Sequence, residues 1–481
     1  MSDFCSPIVW SIAGSDNTAG AGIQADNQSF RSFGVQSGNI ITAVTAQNHV
    51  GVQAIQLIDA DNLENQWESL ILSLPPQVIK LGMIGSQWGI DWLIQKLNKF
   101  EGLVVCDPVL VATNGGTLMT ASAQYKLLFP WVDLITPNYV EFDSLFGDEI
   151  QGLSYEKSLP LLCKKYDIAI LLTGGDHQTQ QAQDILCIKD TLTVLSSPKI
   201  NSRHTHGTGC SLSAAIAASL GLGYSLIDAV ILAKSYMNQG FNQQDIADYS
   251  PAGFQHTHFP NAVQSLPVIQ DDPSLEAFPK LQYPLGFYPL VDNLKLLKTA
   301  IDAGVKTIQL RIKNTPLDVV RSQILTAKTY CESHDVQLFI NDYWDIAIEL
   351  GCYGVHLGQE DFTPANLARI QVAGLRLGIS CHNLYEITFA TQLKPSYIAL
   401  GPVFATQSKA ITYHTLGLNH LQPFVELLQD DYPLTCIGGI TEQNIPAVLA
   451  TGIRSIALIG AIKHHHNPLK QCHHFIGMIN A

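Results

Sequence analysis

Basic residues are scarce in this chain. Lysine and arginine together number 27 among 481 residues, against 41 aspartates and glutamates, and the formal net charge is −14. No basic field exists to attract a phosphate backbone or an anionic bilayer, which excludes nucleic acid and membrane surfaces as partners. Charged residues of both signs reach only 14%, while hydrophobic residues make up 46%. That composition supplies large cores and lacks the signature of disorder. None of the ten cysteines forms a C-x-x-C pair, and no Cys/His group has zinc spacing. A reduced, cytoplasmic protein is the simplest reading. Met1–Trp10 has neither the basic start nor the apolar core of a signal peptide. One uncharged run, Gly207–Ile227, is interrupted by glycines and serines and reads as a buried helix, not a membrane span. There is no G-x-x-x-x-G-K-[ST] loop, so a P-loop enzyme is not supported.

What is present is a repeated alternation of short apolar runs and helical patterns. The length suggests two or three domains. A stretch bearing Pro260, Pro267, Pro273 and Pro279 between Phe259 and Tyr283 has the chemistry of a linker. The expected organisation is therefore residues 1–260, a linker at 261–282, and residues 283–481. In the first part, Ile8–Ala13, Val104–Asp107, Leu134–Thr136 and Ala169–Thr173 read as strands. Asn62–Leu74, Trp88–Phe100, Ala121–Phe129 and Cys210–Leu220 read as helices. The alternation predicts an α/β domain with a mainly parallel sheet. In the second part, eight strands are expected at Gly286–Val291, Thr307–Leu310, Gln337–Ile340, Gly354–His356, Arg376–Ile379, Tyr397–Leu400, Leu434–Ile437 and Ser455–Leu458, each followed by a helix. Eight β/α units in about 200 residues fit a compact (β/α)₈ TIM barrel, with an open doubly wound sheet as the competing arrangement.

A barrel should carry its chemistry at the C-terminal ends of its strands. Arg311 and Lys313 alternate with apolar Leu310 and Ile312 after the second strand, so they share a direction suited to phosphate oxygens. Asp342 and Asp361 follow the third and fourth strands. Mg²⁺ is commonly held by one or two carboxylates plus substrate phosphates. Ser408–Lys409 after a Gly-Pro turn, Gly438–Gly439 and Gly460 suit a second phosphate. The segments QLRIK, FINDY, GVHLGQED, GPVFATQSK and IGGI closely resemble thiamine-phosphate synthase over about residues 284–480. The resemblance implies that Gln309, Leu310, Arg311, Ile312, Lys313 and Asn341 bind a pyrimidine diphosphate, with Ser380 beside the pyrimidine. It further implies that Asp342 and Asp361 bind Mg²⁺. Thr406, Gln407, Ser408, Lys409, Gly438, Gly439, Ile459 and Gly460 would hold a thiazole phosphate.

In the first part, Gly207-Thr208-Gly209-Cys210 enters an Ala-rich helix, a helix start suited to anions. Polar groups again follow apolar runs, at Gln47, in Lys80-Leu81-Gly82-Met83, and at Asp107, Asn138, Glu141 and Thr173. Taken singly, Asp107 or Glu141 would be a helix cap or a solvated acid. The A-G-S-D…G-A-G-I-Q-A-D and H-G-T-G-C segments resemble hydroxymethylpyrimidine/phosphomethylpyrimidine kinase, of the ribokinase-like superfamily, over about residues 6–260. By that resemblance the fold is a three-layer α/β domain, and Asp26, Gln47 and Met83 contact the pyrimidine. Asp107, Asn138, Glu141 and Thr173 would serve ATP and Mg²⁺, and Gly207, Thr208, Gly209 and Cys210 would form an anion hole. Cys210 would be the general base, its thiol lowered by the helix start. Pyridoxal-type specificity within the same superfamily is the alternative. Asn17-Thr18-Ala19 replaces the family's usual Pro-Ser-Gly, and Gly460 stands where the synthases usually have Ser. The two resemblances together imply a bifunctional thiamine-biosynthesis enzyme acting on small molecules, with ATP as co-substrate and Mg²⁺ as cofactor. The oligomeric state stays open, a homo-oligomer included.

Overall fold

The computed structural model describes residues 6–48, 51–110, 122–175, 181–200, 206–243, 253–269, 276–405, 414–463 and 465–480. The chain divides into two compact units, residues 1–260 with 265–270, and residues 261–264 with 271–481.

Unit 1 is built on a ten-stranded sheet. Its strands are β1 (Ile8–Asp16), β2 (Gln36–Asn48), β3 (Gly51–Leu57), β4 (Val78–Leu81), β5 (Leu103–Cys106), β6 (Leu134–Ile135), β7 (Ala169–Leu172), β8 (Gln181–Ile188), β9 (Thr191–Pro198) and β10 (Val268–Ile269). The order is β10-β9-β8-β7-β6-β5-β4-β1-β2-β3. The centre is parallel, as the alternation predicts. Both margins are antiparallel. A hairpin turns at Lys189, whose φ of 59° supplies the twist that a two-residue β-turn needs. The outermost strand, β10, comes from the proline-bearing stretch, where Val268–Ile269 pairs with β9.

Successive residues of β1 face opposite sides of the sheet. Trp10 and Ile12 pack into a large core with Trp67 and Trp92. The Trp10–Trp67 and Trp67–Trp92 rings meet edge-to-face at 5.2 and 5.9 Å. On the other side, Ser11 Oγ donates to Asp26 on the helix Gly22–Ser32. The uncharged run forms the helix Thr208–Gly221, buried from Ser211 to Leu220. Its small side chains allow close approach to the sheet. A Cβ on Gly221 would stand 2.9 Å from Val9. The segment expected as a helix near Ala121–Phe129 is instead a 3₁₀ helix, Ser122–Trp131. Pro130 near its end has no N–H to donate to a helical ladder.

Unit 2 is a closed parallel barrel of β11 (Phe287–Val291), β12 (Thr307–Leu310), β13 (Gln337–Asn341), β14 (Gly354–Leu357), β15 (Arg376–Cys381), β16 (Tyr397–Leu400), β17 (Leu434–Cys436) and β18 (Ile456–Leu458). The open-sheet alternative is excluded by the pairing of β11 with β18. Aromatic side chains fill the interior. Phe339 lies 5.0 Å from Tyr397 and 6.2 Å from Tyr288, centroid to centroid. Room for Tyr397 comes from Gly378, where a Cβ would meet the ring at 2.1 Å.

Candidate functional site

In unit 1 the strand ends open into a cavity of about 870 Å³. Gln47, Met83, Asp107, Asn138, Glu141, Thr173 and the Gly207–Cys210 turn all line it. Gly207 begins the long buried helix with φ 76°. A Cβ there would stand 1.7 Å from the Gly20 carbonyl oxygen, so no other residue fits. Gly253 closes on the same spot, where a Cβ would meet the carbonyl oxygens of His206 at 2.7 Å and Gly20 at 3.2 Å. Asp16 ties these loops together. Its carboxylate accepts from Thr18 N at 2.8 Å and Ala21 N at 2.9 Å and lies 2.8 Å from His206 Nε2. Burial works to raise this carboxyl, but the bonds from His206 and Thr18 outweigh it and hold it at about 2. Ala19 in the same loop is left-handed at φ 62°, a conformation glycine would adopt more easily.

Asp26 departs from expectation. It is fully buried and lies beneath the cavity, not on its wall. Both its oxygens receive Lys80 Nζ, at 2.9 and 3.0 Å. Lys80 is also fully buried and sits 4.0 Å from Asp107. Burial alone would push the Lys80 ammonium down, but Asp26, Cys210 and Asp107 hold it well above its usual range. Burial also pushes the Asp26 carboxyl up. The two short contacts to Lys80 nevertheless make an ion pair. Asp107 further accepts from Ser213 Oγ at 3.2 Å.

Cys210 also departs from expectation. Its thiol is not lowered by the helix start. Burial pushes it up to about 12, with Asp107 and Asp26 adding to the rise and Lys80 opposing it. Asn138 and Glu141, on the cavity wall, also form a capping box. Glu141 N donates to Asn138 Oδ1 at 2.9 Å, and Asn138 N to Glu141 Oε2 at 3.0 Å.

In unit 2, polar residues collect where the strands end. Gln309 and Asn341 are buried. Lys313 pairs with Asp342. Asp342 has φ 66°, and its N–H donates to His356 O at 3.1 Å. Asp361 Oδ2 accepts from Gly358 N at 3.3 Å. Burial raises the Asp361 carboxyl, and the neighbouring Asp342 raises it further. Two carboxylates that repel each other are a fitting place for a hard cation. Among the described residues no group of three or more His, Cys, Asp or Glu is arranged to hold a metal. Leu310 and Ile312 are buried at 1% and 3% exposure. Ser380 Oγ lies 2.8 Å from His356 Nε2. Burial holds the His356 imidazole down at about 4, with Arg311 adding to the effect and Asp342 opposing it. Gly438 O accepts from Phe404 N at 3.0 Å. Ile459 packs on the aromatic barrel interior, and Gly460 starts the short helix that follows β18. Thr406, Gln407, Ser408 and Lys409 lie outside the described residues.

Two family models match, phosphomethylpyrimidine kinase over residues 16–250 and thiamine monophosphate synthase over residues 289–462. The Arabidopsis thaliana thiamine biosynthetic bifunctional enzyme, named as chloroplastic, is 33% identical over 477 residues, spanning 95% of this chain and 90% of that protein. The chain belongs to the bifunctional thiamine-biosynthesis family. It is a transferase with a ribokinase-like phosphomethylpyrimidine kinase domain followed by a thiamine-phosphate synthase TIM barrel. A Salmonella agona thiamine-phosphate synthase is 49% identical over 185 residues, 38% of this chain and 87% of its own length. A solved phosphomethylpyrimidine kinase from Clostridium difficile is 33% identical, covering 49% of this chain and 99% of that one, with a TM-score of 0.43. Among the described residues no helix is long and apolar enough to cross a membrane.

Sequence reasoning about the kinase domain placed Lys80 at a strand end but gave it no role, although a lysine inside the apolar run Val78–Met83 is a signal of one. In the synthase domain it passed over His356 as a site residue, and over Tyr288 and Tyr397. A histidine between Val355 and Leu357 in a buried strand is a comparable signal.

Proposed function

We propose that the kinase domain transfers the terminal phosphoryl group of ATP to 4-amino-5-hydroxymethyl-2-methylpyrimidine and then to its monophosphate. The synthase domain joins the resulting diphosphate to thiazole phosphate, giving thiamine phosphate and diphosphate. The barrel rim carries this reading, since the Lys313–Asp342 pair and Asp361 lie together. Breaking the carbon–oxygen bond builds negative charge on the leaving diphosphate. Arg311 and Lys313 would meet that charge as it develops. Asp342 and Asp361 would hold Mg²⁺, which when bound draws further charge from the leaving group. Asn341, Gln309 and Ser380 are assigned to the pyrimidine side. Gly438, Gly439, Ile459, Gly460 and the segment Thr406–Lys409 are assigned to the thiazole phosphate.

In the kinase cavity, Gln47 and Met83 are assigned to the pyrimidine. Asp107, Asn138, Glu141 and Thr173 are assigned to ATP and Mg²⁺. The helix start at Gly207–Gly209 suits the transferred phosphoryl group. Phosphoryl transfer through a loose transition state asks little of a base. If Cys210 takes the alcohol proton, a thiol near 12 has a clear pH signature. Kinase kcat/KM should then climb about tenfold per pH unit between pH 7 and 9, and Cys210→Ala should abolish the climb. A flat profile would remove Cys210 from the base role and leave it only a contact in the anion hole.

The whole reading is tested in one vessel. The full chain, given hydroxymethylpyrimidine, ATP, Mg²⁺ and thiazole phosphate, should form thiamine phosphate. Folded protein that makes none from these components, yet makes it when supplied with the pyrimidine diphosphate, would overturn the kinase half alone.

A further inference from the structure

A line of buried polar groups runs through the barrel interior beneath the synthase rim. Gln309 Nε2 donates to Tyr288 Oη at 3.2 Å. Tyr288 Oη lies 2.8 Å from Tyr397 Oη, and Tyr397 Oη lies 2.7 Å from His356 Nδ1. His356 Nε2 lies 2.8 Å from Ser380 Oγ. Tyr288 and Tyr397 are buried at 1% and 0% exposure, away from bulk solvent.

With Gln309 Nε2 as the donor at one end, counting hydrogens gives the line a direction. Each tyrosine has one hydroxyl hydrogen, and a neutral imidazole has one N–H. Tyr288 accepts from Gln309, and among the described residues the only acceptor near its own hydrogen is Tyr397. Tyr397 must then donate onward to His356 Nδ1. That leaves Nδ1 bare and places the ring's single hydrogen on Nε2, which donates to Ser380 Oγ. The Ser380 oxygen is thus occupied on the His356 side, and its own hydrogen has no acceptor among the described residues. Had the Gln309 carboxamide been turned over, every bond would reverse and Ser380 would donate to His356.

We propose that Tyr288, Tyr397 and His356 are positioning residues that hold the Ser380 hydroxyl as a hydrogen-bond donor toward the heteroaromatic ring of the synthase substrate. This rests on the assignment of Ser380 to that ring. The line is held rigidly. The Tyr397 ring stacks on His356 with centroids 5.6 Å apart, and Gly378 leaves it no space to spare. A ring nitrogen offers the lone pair that such a donor requires. A hydroxyl pointed in advance costs no reorganisation when the substrate arrives.

Two measurements on the full chain test the proposal. The first is the ¹⁵N spectrum of the histidine-labelled protein, with the His356 signal identified by its loss in His356→Gln. The expected state is the Nε2–H tautomer. An Nδ1–H tautomer would reverse the line and overturn the proposal, and this result needs no tyrosine variant to fold. The second is a double-mutant cycle. Tyr397→Phe should lower synthase kcat/KM for the pyrimidine diphosphate about tenfold and leave the kinase untouched. In the Ser380→Ala background the same change should cost less than about twofold, because the hydroxyl it orients is gone. Equal losses in both backgrounds would mean that Tyr397 is merely structural. Wild-type kinetics in Ser380→Ala would instead sink the assignment of Ser380 on which the inference rests.

Discussion

Lys80→Met should destabilise the kinase domain by about 3–5 kcal/mol while leaving the synthase active. Lys80 is buried with Asp26, which it contacts at 2.9 and 3.0 Å, and it faces Asp107 at 4.0 Å. Methionine fills a similar volume but carries no charge, so the variant strands the Asp26 carboxylate away from water. The penalty comes from the uncompensated carboxylate more than from the lost attraction. Urea unfolding followed by tryptophan fluorescence reads this directly. Five of the six tryptophans, Trp10, Trp67, Trp88, Trp92 and Trp131, belong to the first unit. A second substitution separates charge from packing. Lys80→Met combined with Asp26→Leu should recover most of the stability, because an apolar pair can replace a buried ion pair at little cost. A wild-type urea midpoint in the single variant would show that the pair carries no such weight.

Asp342→Asn should lower synthase turnover about 10²-fold or more, with the kinase unchanged. Asparagine is the informative choice because Asp342 sits at φ 66°. Asparagine tolerates that left-handed backbone nearly as well as aspartate, whereas alanine would add strain. The substitution therefore removes charge alone. It frees Lys313 from its partner and leaves Asp361 as the single carboxylate of the proposed Mg²⁺ site. The half-saturating Mg²⁺ concentration should rise along with the fall in turnover. Supplying the pyrimidine diphosphate and titrating Mg²⁺ measures both. Normal turnover at normal Mg²⁺ would rule Asp342 out as a metal ligand.

The barrel was legible because its strands are short apolar runs separated by helices of regular length. Thr307–Leu310 and Tyr397–Leu400 carry the expected bounds, and the other six differ by one or two residues at an end. The antiparallel margins of the kinase sheet were not legible. Strand β3 reads GVQAIQL, whose apolar residues do not alternate strictly with polar ones, and it is largely exposed, so no buried face announces a strand. Its pairing with β2 is a tertiary fact. The rim residues could be placed because strand ends in such folds face one side. The partners of Lys80 could not, since Asp26 stands 54 residues away and is brought close only by the sheet. Cys210 shows the limit most clearly. A helix start argues for a lowered thiol, but burial reverses the effect, with Asp107 and Asp26 from elsewhere in the chain adding to it.

The meeting of Gly20, Gly207 and Gly253 makes two loops mechanically one. The Gly207 backbone abuts the Gly20 carbonyl with no space for a methyl group. Asp16 and His206 bind the same two loops side chain to side chain. Neither loop can shift without carrying the other. On the proposed assignment of pyrimidine and nucleotide to this cavity, any coupling carried by these contacts would be reciprocal. The factor by which pyrimidine tightens the hold on nucleotide must equal the factor by which nucleotide tightens the hold on pyrimidine. Any such cooperation would pass through the backbone contact between Gly207 and Gly20.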